Sequence, residues 1–176
     1  MLSLKLIREF AILATAALCV GCWGMAYTVP TDAMLPNITR EDVCIVNQFA
    51  YSAAEIERFD IVLFEMPDSE KGRVNATGDV KHIKRVVGLP GEKIEVREDK
   101  LYINNELMTE PFEIIVASSD RKRNFGPITI PGEEYFLLGD NRPESLDSRY
   151  FDHPTIRKTD IHGKVVEIKK GYYTKK

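Results

Sequence analysis

The sequence predicts a mainly β fold, with a single N-terminal transmembrane helix followed by a compact all-β domain. Three observations lead there. Residues 10–29 form one nearly uninterrupted apolar run, close to the ~20 residues that a helix needs to cross a bilayer. After it, short runs rich in β-branched residues alternate with Gly, Pro, Asn and Asp turn signals. No comparably clear helix recurs beyond residue 29. The 176 residues allow one ordinary domain plus a short appendage.

The apolar run carries its own topology. Lys5 and Arg8 precede it, whereas its far side begins with Asp32 and has no base before Arg40. The positive-inside rule therefore assigns residues 1–9 to the cytoplasm, 10–29 to the membrane and 30–176 to the outside. Trp23 and Tyr27 fall near the outer end, where amphipathic rings favour the interface. A cleaved signal peptide would have a core of only ~7–15 residues ending in small residues. Ala14-Thr15-Ala16 sits in mid-run, so a retained anchor is expected.

Composition narrows the partners. Charged residues at 29% and apolar residues at 44% exclude a disordered chain. A net charge of −3 offers no electrostatic basis for nucleic acid as a partner, leaving the lipid bilayer as the partner the chain itself announces. Cys19 and Cys22 lie inside the apolar run and Cys44 beyond it, a set read as small apolar residues without a disulfide framework. No metal or cofactor is expected.

The β elements come in order. Val43-Cys44-Ile45-Val46 and Ile61-Val62-Leu63-Phe64 suit strands buried on both faces, with a helical turn expected around Ser52–Ile56. The polar stretch from Asp68 to Asp79 reads as an exposed loop. From Val80 to Val87, alternation places His82, Lys84 and Val86 on one face, and Ile83, Arg85 and Val87 on the other. Ile94 and Val96, then Leu101 and Ile103, read as a hairpin across Glu98-Asp99-Lys100. Thr129-Ile130, Tyr135-Phe136-Leu137-Leu138 and Val165-Val166-Glu167-Ile168 complete the series.

Four segments carry more than strand patterning. They are Val29-Pro30-Thr31-Asp32-Ala33-Met34-Leu35-Pro36, then Phe59-Asp60-Ile61-Val62, then Lys84-Arg85-Val86-Val87-Gly88-Leu89-Pro90-Gly91, and lastly Gly139-Asp140-Asn141-Arg142-Pro143-Glu144-Ser145-Leu146-Asp147-Ser148-Arg149. In this order they resemble the bacterial type I signal peptidases, membrane-anchored serine endopeptidases built on a Ser/Lys pair. The resemblance covers nearly the whole chain. It implies a general base at Lys84, a hydroxyl that orients its amine at Ser145, and an oxyanion-hole hydroxyl at Thr31. It implies substrate pockets lined by Val29, Met34, Ile38, His82 and Ile83, and structural charges at Arg85, Asp140, Asp147 and Arg149. The implied substrates are signal peptides of secreted preproteins, cut after Ala-x-Ala-like sites.

One position departs from the pattern. Where the resemblance places the nucleophilic serine, this chain has Ala33, and a methyl group cannot attack a carbonyl. Residue by residue, plainer readings stay open beside the implied ones. A lysine between Ile83 and Val86 can send its ammonium to water, and each pocket position can be ordinary core. Three readings therefore stand: a signal peptidase I missing its nucleophile, a noncatalytic homologue that binds extended peptides or assists assembly of secreted proteins, or a membrane-tethered β-domain whose likeness is architectural and whose partner is another.

Overall fold

The computed structural model describes residues 24–71, 81–116 and 123–172. Eleven strands are found among them: β1 (Gly24–Thr28), β2 (Val43–Asn47), β3 (Ile61–Glu65), β4 (Lys81–Gly88), β5 (Lys93–Arg97), β6 (Lys100–Ile103), β7 (Glu106–Leu107), β8 (Phe125–Thr129), β9 (Glu134–Leu138), β10 (Ile156–Arg157) and β11 (Ile161–Lys169). They form a seven-stranded sheet in the order β1-β2-β11-β3-β4-β9-β10 and a four-stranded sheet in the order β7-β6-β5-β8. All the strand pairings are antiparallel.

The central strands are apolar because both their faces are covered. Val62 and Phe64 of β3 pack with Val86, Tyr135 and Leu137 on one side. Leu63 and Ile83 pack with Val29, Met34, Ile38, Cys44 and Val46 on the other. The smaller sheet lays Ile94, Val96, Leu101 and Ile103 against Val87, Phe136 and Leu138. Its β5–β6 hairpin turns at Glu98 and Asp99, both at positive φ (50° and 61°), which matches the twist a tight two-residue turn requires.

Several expectations are corrected. The apolar span does not run as a helix to Val29, because Gly24–Thr28 is a strand paired in register with β2, from Gly24↔Asn47 to Thr28↔Val43. Hydropathy cannot tell a side chain facing lipid from one lying along a strand. The rest of that span, with Trp23, lies outside the described residues, and no helix among the described residues is long and apolar enough to cross a membrane. Residues 52–54 form bends and 55–56 follow without regular structure, in place of a helical turn, with Ile56 buried. The loop expected after Asp68 opens with a helical turn, Asp68–Lys71, whose Glu70 is buried and accepts from the Asp152 N–H at 2.8 Å. The division into two sheets was not visible in the strand patterns.

Two strand edges are left open where the candidate residues lie. Among the described strands, β1 pairs only with β2. β4 pairs with β3 along its length from Lys81 to Arg85, but β9 joins its other edge only from Arg85 onward. Lys81 to Lys84 therefore present an edge that no described strand covers.

The chain after β11 is tied to the loop before β2 by Asp42, whose side chain is 2% exposed. It accepts from Thr39 N–H at 2.8 Å, Gly171 N–H at 2.9 Å and Lys170 Nζ at 3.0 Å. Burial alone would raise its pKa, but the two backbone donors and the Lys170 ammonium outweigh burial and hold it at about 2. A carboxylate with a folded pKa below its unfolded one contributes stability above about pH 4 and loses it as pH falls towards 2. Asp42→Asn is expected to lower stability at pH 7 by about 1–2 kcal/mol and to flatten the acid limb of a denaturant titration between pH 4 and 2. An unchanged acid limb would show that Asp42 is not the group responsible.

Candidate active site

The site forms where three segments meet at Gly139, at the end of β9. By the register of β4 and β9, Arg85 lies opposite Leu138, so Gly139 comes alongside Lys84. A Cβ built on Gly139 would stand 2.2 Å from Ser145 Oγ and 2.4 Å from the Ala33 carbonyl oxygen. Only a residue without a side chain admits both neighbours. Lys84, Ser145 and the Ala33 backbone are thus gathered around one point.

The segment from Pro30 to Ile38 is held there by its carbonyls. Asn141 N–H donates to the Ala33 oxygen at 3.1 Å, and Asn141 Nδ2 donates to the Asp32 oxygen at 3.0 Å. The turn closes on itself through Leu35 N–H to the Asp32 oxygen at 3.1 Å and Ile38 N–H to the Met34 oxygen at 2.8 Å. The Ala33 N–H donates to no described residue, which leaves it available to an incoming acceptor. Ala33 is 3% exposed, while Thr31 is exposed beside it.

Lys84 is 2% exposed, and its amine donates only to the Ile83 oxygen, at 3.2 Å. Burial lowers its pKa to about 8, although the carboxylates of Asp147 and Asp140 pull the other way. An ordinary surface lysine would keep its proton far above neutrality, whereas this one gives a substantial neutral fraction near pH 8. Ser145 is 3% exposed, and its Oγ has no hydrogen-bond partner.

Two buried ion pairs brace the loop. Asp147 accepts from Arg149 Nε and Nη2, both at 2.9 Å, and from Gly139 N–H at 3.1 Å. Arg149 Nη2 also donates to the Arg142 oxygen at 2.7 Å. Asp140 accepts from Arg85 Nε at 2.9 Å, Arg85 Nη2 at 2.7 Å and Asn37 Nδ2 at 2.9 Å. Arg85 lies 3.7 Å over the Phe112 ring and donates to the Phe59 oxygen at 3.0 Å. Both carboxylates that act on Lys84 are thereby paired with arginines and not with the amine.

Beside this point runs a cleft of about 280 Å³, lined by residues 27–31, residues 81–84 and Leu63. Val29, His82 and Ile83 face it, whereas Met34 and Ile38 are fully buried in the cluster behind it. A larger recess of about 370 Å³ around Gly132, Arg157 and Lys158 contains none of the candidate residues. Gly139, Asn141 and Arg142 were not singled out from the sequence. All three lie in the fourth segment of the resemblance, which gave them no role of their own, and only the close approach shows what the glycine is for.

Comparison with known proteins identifies the family. The family model for signal peptidase, peptidase S26, matches residues 4–169. Signal peptidase I V of Bacillus subtilis is 37% identical over 147 residues, 78% of this chain and 80% of that protein. Signal peptidase I S of Bacillus subtilis is 33% identical over 132 residues, 70% of this chain and 65% of that protein. Probable signal peptidase I-2 of Synechocystis is 30% identical over 123 residues, 70% of this chain and 53% of that protein. The match thus spans less than two thirds of the length of the latter two. A solved signal peptidase I from Enterococcus faecalis is 30% identical, covers 63% of this chain and 97% of its own, and has a TM-score of 0.47. A mainly β chain with a buried lysine at a strand edge belongs, on the family match, to the peptidases. Specifically, it is a member of the signal peptidase S26 family.

The crowding at Gly139 makes a direct prediction. Gly139→Ala places a methyl group inside contact distance of both Ser145 Oγ and the Ala33 oxygen, and is expected to cost about 1–3 kcal/mol. Thermal unfolding should register it as a lower midpoint; a midpoint equal to that of the parent would mean that the three segments are not so tightly apposed.

Proposed function

We propose that this chain is a membrane-anchored, signal peptidase I-type serine endopeptidase that holds preprotein segments at Ala-x-Ala-like sites, and that with alanine at position 33 it lacks the oxygen needed to cut them. The observation that carries the reading is the meeting of Lys84, Ser145 and the Ala33 backbone at Gly139, beside a cleft bounded by two open strand edges. Open edges suit an extended peptide, whose main-chain groups supply affinity while shallow pockets select side chains. In this reading the apolar segment that precedes β1 anchors the chain in the bacterial plasma membrane, with the β domain outside.

Each role rests on the chemistry of its group. Lys84, neutral in part near pH 8, is the general base, and the role of orienting its amine falls to Ser145, whose Oγ lies at the same corner without a partner of its own. The Ala33 N–H and the Thr31 hydroxyl form the oxyanion hole, where donors aimed at developing charge have their largest effect. With a serine at position 33, its O–H proton would pass to Lys84 Nζ as its oxygen bonds to the scissile carbonyl carbon. The same proton would then leave with the departing amine as the C–N bond breaks. Water, activated in turn by Lys84, would hydrolyse the ester.

A second reading rests on Ala33 itself. Lys84, Ser145 and Thr31 are all present beside it, so a homologue that binds peptides without cutting them, assisting assembly of secreted proteins, needs no further change. The two readings share peptide binding and differ in the effect of restoring the oxygen.

Ala33→Ser is expected to yield a cut after the Ala-x-Ala site of a preprotein in detergent, and Ala33→Ser with Lys84→Met none. The rate should climb as pH rises through about 8, because the neutral amine is the active form and burial has lowered its pKa to that value. Absence of product from Ala33→Ser, with binding of the preprotein retained, would favour the noncatalytic reading.

A further inference from the structure

Residues 109–116 follow β7 and form no strand or helix beyond one isolated parallel bridge, Ile115 to Asn141. They are nonetheless tied to the site. Glu110 pairs with Arg142, and the Glu113 oxygen accepts from Asn37 Nδ2 at 2.7 Å. Ile115 N–H donates to the Asp140 oxygen at 2.9 Å, and the Ile115 oxygen accepts from Arg142 N–H at 2.9 Å. Within this strap, Phe112 lays its ring over Arg85, with the guanidinium carbon 3.7 Å from the ring centroid. The ring is half-buried while Arg85 is 8% exposed, so the ring covers a face of the guanidinium that would otherwise meet water.

Phe59 is shaped to the same end. Its φ of 74° lies in the left-handed region, which is unfavourable for a bulky side chain. Contacts on every side hold it there: its N–H donates to the Val86 oxygen at 2.7 Å, its oxygen accepts from Arg85 Nη1 at 3.0 Å, and its ring meets Phe112 edge to face at 5.3 Å. Arg85 is thus enclosed, with Asp140 on one edge, the Phe59 oxygen on another N–H and Phe112 on a face. A charge pair sheltered in this way is less screened than one in open water, and the ring's negative face attracts the cation besides.

We propose that Phe112 is a positioning residue for Lys84: its ring holds the Arg85 guanidinium on Asp140 and so keeps that carboxylate off the amine. This rests on the reading of Lys84 as a general base and adds the strap that follows β7 to the parts that keep it ready. The other charges around the amine are held by other means. Asp147 is held by Gly139 N–H and by Arg149, which lies over Tyr150 instead. Asp32, the one charge in residues 30–38, pairs with Arg40, and β3 opposes Lys84 with the apolar Val62. His82, on the same strand, is kept neutral above about pH 4 by burial. Burial brings the Lys84 pKa down to about 8, against the pull of Asp147 and Asp140. Uncovering Arg85 frees Asp140 towards the amine and admits water, and both effects favour the charged form.

The chain as it stands suits the test, because the amine can be followed without turnover. In protein carrying isotopically labelled lysine, in detergent, the ε-carbon NMR signal of Lys84 is assigned by its loss in Lys84→Met and titrated against pH. Phe112→Leu keeps an apolar side chain without an aromatic face, and is expected to raise the midpoint by roughly half to one pH unit. Phe112→Tyr, which keeps the face, should return the parent midpoint. Phe59→Gly adopts the left-handed backbone without strain and removes the ring that steadies Phe112, so it should fold and raise the midpoint by a smaller amount. A residue that only stabilised the fold would lower the thermal midpoint and leave the titration in place. An unmoved titration in Phe112→Leu, or an equal rise in Phe112→Tyr, would overturn the inference and leave the general base standing; should Phe112→Leu not fold, Phe59→Gly decides by the same criterion. A parent amine that titrates like an ordinary lysine would overturn both.

Discussion

The site depends on how closely three pieces of backbone can approach one another at Gly139. A single methyl group there would collide with Ser145 Oγ and with the Ala33 oxygen, so the glycine is what allows the loop after β9 and the turn after β1 to share one corner of the sheet. The approach has to be held against polar groups that would rather be solvated. Two buried pairs, Asp147 with Arg149 and Asp140 with Arg85, do this by turning each carboxylate towards backbone or side-chain donors on both sides of the corner. Such pairs add little net stability, but loss of one partner strands a buried charge, at about 3–5 kcal/mol. Their value lies in geometry, because each bond they make is also a positional constraint on Gly139, Asn37 or Arg142.

This bracing also decides the state of Lys84. The carboxylates of Asp147 and Asp140 are near enough to favour its charged form, yet burial is the larger effect and the amine is shifted towards neutrality. Had either carboxylate been aimed at the amine instead of at an arginine, an ion pair would have kept the proton in place. An amine that can take up a proton near neutral pH therefore depends on Arg85 and Arg149 occupying the acids.

Holding a peptide and cutting it make separate demands on the structure. In the proposed reading, the edges of β1 and β4 left unpaired among the described strands, the cleft between residues 27–31 and 81–84, and the unengaged Ala33 N–H all belong to holding. None of them involves the side chain at position 33. In that reading a chain with alanine there lacks one oxygen atom of the chemistry while its cleft and its braces stay in place, which is why a cutting and a binding reading share the same architecture. Membership of the signal peptidase S26 family fits both.

The strands were legible in the sequence because each is a local signal. β-branched runs bounded by turns marked β2, β3, β4, β9 and the β5–β6 hairpin, and the alternation along β4 put His82 and Lys84 on one face. The short strands β7 and β10 and the division into two sheets were not legible, since two-residue strands carry no period and sheet membership is settled by partners far away in the chain. Hydropathy likewise could not find where the apolar run becomes β1, because the difference lies in β2 supplying its hydrogen bonds. By itself the sequence determined which residue types are present: a lysine among aliphatic neighbours, a serine and acids in a turn-rich loop, and an alanine in the proline-bracketed segment. Tertiary structure alone decided that these meet, that the acids turn to arginines and not to the amine, and that Met34 and Ile38 lie behind the cleft. Burial, register and close approach are properties of pairs of distant segments, and no single stretch of chain contains them.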